Sequence, residues 1–192
     1  MKKLLGIVVL CLLCCNVGVA EKNETIEKNI ENANREGAVV FLSSDAASMI
    51  TGTSLSEYII AYRCGGLFTH LYKEELAAAL IGATWDFEKK NIIQKFKKNN
   101  FNYAGSQIFY VTTIGSLNKN TNYNWEEVVN LAKTQMVEWE KIYQKKGKTA
   151  FIDISFCKAE AEYKIELIVN SLELKLFYKA FGVDTDFDSI QQ

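Results

Sequence analysis

The chain predicts a mainly α-helical fold: a single-domain bundle of four or five helices after a cleaved signal peptide. Three observations predict it. Beyond residue 54, apolar residues recur at three- and four-residue steps, the spacing of one helix face. Helix-start signals precede two of these stretches. The 192 residues include no proline, the residue that breaks helix interiors.

Residues 1–20 carry a signal-peptide pattern. Lys2 and Lys3 give a positive start, Leu4 to Cys15 is an apolar run, and Gly18-Val19-Ala20 ends in small residues. The run falls short of the ~20 apolar residues that span a bilayer. No integral membrane segment is therefore expected after cleavage. Glu21 then begins a mature protein that is secreted or periplasmic. Leu12 and Leu13, not small residues, precede Cys14, so a lipid attachment site is not expected.

Residues 21–53 read as a polar leader and linker, either disordered or, over Glu21 to Gly37, a weak and exposed helix. From Glu21 to Gly37, Ile26 and Ile30 are the only large apolar residues. The helical domain spans residues 54–182. Ser54 and Glu57 have the spacing of a capping box, and a helix is expected from there to about Glu75. Ile60, Cys64, Leu67 and Leu71 form its apolar stripe. Gly65-Gly66 lies mid-helix, where each glycine costs ~1 kcal/mol relative to alanine. A kink or the close approach of another helix would justify that cost.

A second helix is expected over Leu76 to Lys98, with a tightly packing alanine-rich start and a basic end. Asn99-Asn100 stops it. Ala104 to Leu117 reads two ways. Val111, Thr112, Thr113 and Ile114 favour strand, whereas Ala104, Ile108, Val111 and Ile114 fit helical spacing. Helix is preferred because a lone strand would have no partner.

Asn124 and Glu127 form a second cap and box. The following helix carries a stripe of Val128, Leu131, Gln135, Trp139 and Ile142, and Gly147 ends it. The last helix steps through Ile154, Cys157, Ala161, Ile165, Ile168 and Leu172. Its apolar end, Leu172 to Phe181, suits packing in its own bundle or docking on a partner or membrane surface. Residues 183–192 form an acidic tail expected to fray.

Charge and cysteine usage narrow the function. The chain has 22 Lys and Arg, including Lys2 and Lys3, against 23 acids. A nucleic-acid partner would favour a clustered basic surface, so none is expected. Of five cysteines, Cys11, Cys14 and Cys15 lie in the signal. Cys64 and Cys157 remain, an even pair in an oxidising compartment, and a disulfide is expected between them. Both sit on the inward stripes of their helices, the shared orientation that a helix-to-helix bridge needs.

His70 is the only histidine, which rules out a multi-histidine zinc site. Asp184, Asp186 and Asp188 alternate as at the start of a calcium loop, but Ser189 stands at its glycine position. No metal, cofactor or catalytic set is assigned. Aromatic residues make up 12 % of the chain. Tyr62, Phe68, His70 and Trp85 are the candidates for lining a small apolar ligand site.

Residues 38–55 read AVVFLSSDAASMITGTSL. Phe41, Leu42, Ser44, Asp45, Ala47, Ser48, Ile50, Thr51 and Gly52 match the phrase FLxSDxASxITG. This segment resembles the C-terminal region of short-chain dehydrogenases/reductases. The resemblance implies a Rossmann fold, a nicotinamide cofactor and hydride transfer. The chain has no TGxxxGxG turn and no tyrosine followed four residues later by lysine, the motifs that carry that chemistry. No catalytic residue therefore carries over.

The leading expectation is an exported, non-catalytic accessory protein of the cell envelope that binds an unknown protein or a small apolar ligand. The alternatives are a divergent or remnant dehydrogenase-related oxidoreductase and a thiol-dependent enzyme using Cys64.

Overall fold

The computed structural model describes residues 57–145 and 147–190. The expected signal peptide, leader and Ser54 cap, and the segment 38–55, lie outside the described residues. The helices are α1 (Glu57–Ala79), α2 (Asp86–Asn99), α3 (Phe101–Asn120), α4 (Trp125–Lys145), α5 (Gly147–Val169), α6 (Leu172–Ala180) and α7 (Phe187–Ile190). No strand occurs among the described residues. The fold is mainly α, as expected, with five long helices and two short ones among the described residues.

The helix α1 is the centre of the packing and lies against both α3 and α4. It buries Ile60, Ala61, Cys64, Leu67 and Phe68. Phe68 stacks on Phe109 of α3 at 5.8 Å and meets Phe101 edge-on at 5.7 Å. Its ring lies on Gly105, where an added Cβ would come within 2.8 Å.

Gly65 and Gly66 admit α4. A Cβ on Gly66 would sit 2.6 Å from Trp139 Cβ and 2.9 Å from the backbone of Met136 and Glu140. Close helix approach, not a kink, offsets the propensity these glycines lose.

The ambiguous segment 104–117 is helical. Thr112 Oγ1 donates to the Ile108 carbonyl at 2.9 Å, and Thr113 Oγ1 to that of Phe109 at 2.7 Å. These bonds satisfy both hydroxyls inside the helix and let buried threonines sit there. Asn100 caps the helix by accepting the Tyr103 N–H at 2.8 Å. At α4 the expected box is complete. Asn124 accepts the Glu127 N–H at 3.0 Å, and Glu127 accepts the Asn124 N–H at 2.8 Å.

Several boundaries and faces differ from expectation. Leu76 does not begin a second helix. The alanines prolong α1 to Ala79, and the break comes at Gly82, whose φ is +87°. Ala77, Ala78 and Ala79 are exposed rather than tightly packed. The buried face of α4 is Val128, Ala132, Met136, Glu140 and Tyr143, one position round from the expected stripe. Met136 and Glu140 face the α1 glycines, which sets this rotation. Gly147 opens α5 instead of closing α4.

The last helix breaks at Asn170-Ser171. Ser171 caps α6 by accepting the Leu174 N–H at 3.2 Å. This leaves Leu172 exposed, while Leu174, Phe177 and Tyr178 pack inward. The tail is packed as far as Ile190. The Asp186 N–H donates to the Lys98 carbonyl at 2.9 Å, and Phe187 is buried against Tyr178. Gly182, at φ +80°, makes the turn that returns the chain to α2.

Candidate functional site

Cys64 and Cys157 form a disulfide between α1 and α5, with their Cα atoms 5.4 Å apart. Both are wholly buried. The neighbouring residue on α1, Arg63, reaches Asp153, one turn before Cys157. Its Nε donates to Asp153 Oδ2 at 2.6 Å and its Nη2 to Oδ1 at 2.8 Å. Tyr143 of α4 donates its hydroxyl to the same Oδ2 at 2.6 Å. The guanidinium also lies over the Trp139 ring, 4.7 Å from its centroid. Three helices thus converge on one buried carboxylate beside the bridge.

The electrostatics of this cluster make it chemically quiet. Burial, then the hydrogen bond and charge of Asp153, push the Tyr143 phenol well above its ordinary value, with Arg63 opposing. Burial alone would lower the Arg63 pKa, but the hydrogen bond and charge of Asp153 raise it. Neither group is poised to move a proton near neutral pH. One turn earlier on α4, Glu140 is buried and accepts both contacts of Lys73 Nζ, at 2.6 and 2.7 Å, and Gln144 Nε2 at 3.0 Å. The thiols are joined and these carboxylates are paired.

The ligand candidates do not form one set. Phe68 is inside the core, whereas Trp85 is 65 % exposed at the start of α2. Tyr62 is half-buried on α1. Its phenol is raised by burial and by the neighbouring Tyr58 and Glu138. His70 is also half-buried, with a buried Nδ1 that has no hydrogen-bond partner. None of the four lines the surface hollows at Lys175–Asp188, Phe101–Tyr163 or Asn91–Lys98.

Two of the three alternating acids of the tail have side-chain partners. Asp184 accepts from Tyr103 at 3.2 Å, and Asp188 pairs with Lys175 at 2.8 Å. Among the described residues, no cluster of three His, Cys, Asp or Glu could hold a metal.

The chain matches no family model, no curated protein and no solved structure.

Two features were not anticipated from the sequence. Arg63 had a signal: in a chain whose other bases are nearly all lysine, only Arg35 and Arg63 are arginine. Arginine is favoured where a carboxylate must be gripped by two bonds. The second feature is the α1–α2 turn. Ile81, Trp85 and Phe87 are 83 %, 65 % and 64 % exposed, and no charged residue occurs from Leu76 to Trp85. These three large apolar side chains lie within seven residues of chain. Among the described residues, no helix is long and apolar enough to cross a membrane.

Proposed function

We propose that this protein is an exported, non-catalytic helical module of the cell envelope that works by binding a partner through its surface. The Cys64–Cys157 bridge carries the reading. Disulfides of this kind form and persist in oxidising compartments, which supports export. The bridge also removes both thiols as nucleophiles, which weighs against a thiol-dependent enzyme at Cys64. The exposed Ile81, Trp85 and Phe87 supply the contact surface.

The test is saturable binding of the exported chain to isolated envelopes. The variant I81S/W85S/F87S should melt at the same temperature and lose that binding. Unchanged binding by this variant would overturn the reading.

The second reading is a divergent or remnant dehydrogenase-related oxidoreductase. It rests on the match over residues 38–55. Saturable enhancement of nicotinamide fluorescence by the exported chain would favour it.

A further inference from the structure

We propose that the α1–α2 turn and the outer face of α2 seat the protein on an anionic phospholipid surface. This rests on the reading that the protein works through its surface, and it names the partner. Ile81, Trp85 and Phe87 enter the interface, and Lys90, Lys95 and Lys98 meet the headgroup phosphates.

The first support is the composition of α2. None of its residues is buried. Its exposed positions are Asp86, Phe87, Lys90, Asn91, Gln94, Lys95, Lys98 and Asn99. At 3.6 residues per turn, Phe87, Lys90, Gln94, Lys95 and Lys98 fall on one side of the helix. That side carries three lysines, with Asp86 at one edge and Glu88, which accepts the Trp85 N–H, at the other, and Lys95 and Lys98 share a hollow with Asp184. Phe87 and Lys98 are about 16 Å apart along the axis, so a helix lying on a surface presents both.

The second support is the tip. Tryptophan is favoured at membrane interfaces, where its ring is amphipathic. Ala77, Ala78 and Ala79 are exposed beside the tip and extend the uncharged surface. Attachment to a membrane surface strengthens with the apolar area inserted and with electrostatic attraction to anionic lipids. This hairpin supplies both in one continuous segment. A protein partner would use the same aromatic residues, but the one-sided lysines beside them match a sheet of phosphates better.

The experiment is co-sedimentation of the exported chain with protein-free vesicles. One set contains phosphatidylglycerol in phosphatidylcholine, the other phosphatidylcholine alone. Binding is expected to the anionic set and should fall as salt rises. I81S/W85S/F87S should lose at least about tenfold in affinity. K90Q/K95Q/K98Q should lose about fivefold for each lysine removed. L172S/L176S, which alters exposed leucines on α6, should bind as the parent does. Melting curves check that each variant folds.

Equal binding to both vesicle sets would overturn the proposal, as would equal loss in the α6 variant. Absent vesicle binding with envelope binding that protease treatment destroys would also overturn it, while the broader binding reading stands. Absence of both kinds of binding overturns the two together.

Discussion

Arg63 grips Asp153 through both carboxylate oxygens, at 2.6 and 2.8 Å, beside the Cys64–Cys157 bridge. A covalent bond and an ion pair thus join α1 to α5 side by side. Asp153 is wholly buried, and the Arg63 side chain is 14 % exposed. Burying charges is costly, so the pair stabilises the fold mainly in the sense that neither partner can be lost alone.

Asp153→Ala should therefore destabilise the protein by about 3 kcal/mol, because the Arg63 charge and the Tyr143 hydroxyl lose their acceptor. Replacing the whole cluster as R63M/Y143F/D153L should cost far less. Chemical denaturation of the three proteins decides it. Similar losses in both variants would show that pairing is not what matters at this site.

The two adjacent glycines should respond differently to alanine. At Gly65 the new Cβ meets the flexible end of Met136, whereas at Gly66 it meets the backbone of α4 and Trp139 Cβ. The gain in helix propensity is ~1 kcal/mol at either site, and overpacking costs about 1–3 kcal/mol. G65A should be near neutral, and G66A should lose about 2 kcal/mol. Equal denaturation midpoints for the two variants would contradict the close approach of α4.

Alkaline pH should unfold the chain. Burial raises the phenols of Tyr103 and Tyr178 above the ordinary 10.0, and burial with Asp153 raises that of Tyr143. The folded state therefore holds protons that the unfolded chain releases. The sign follows: this stability is fully present below about pH 10 and is lost as pH rises above it. Phenolate absorbance from these tyrosines should appear together with loss of the helical circular dichroism. Complete phenol ionisation with the helices intact would contradict their burial.

Much of the fold was legible in the sequence because helix periodicity reports burial directly. The α1 stripe through Ile60, Cys64 and Leu67 is buried as read, and so is the α5 stripe from Cys157 to Ile168. The Asn124–Glu127 box is local chemistry and reads equally well. What was not legible depends on other elements. The α4 face is rotated because α1 supplies two glycines there. Asp153 and Glu140 look like solvated acids until Arg63 and Lys73 are placed opposite them. The tail looks frayed until Asp186 meets the free carbonyl of Lys98 at the end of α2. The candidate ligand set failed as a set because aromatic content does not distinguish a core ring such as Phe68 from an outer one such as Trp85.

The proposed export and the covalent staple meet in the state of Cys64 and Cys157. The most direct measurement is a free-thiol count under denaturing conditions on the chain recovered after export, without reductant, with its N-terminus determined by mass spectrometry. The expected result is a chain beginning at Glu21, with no free thiol and no disulfide between chains. Two free thiols, or a chain that retains residues 1–20, would contradict it.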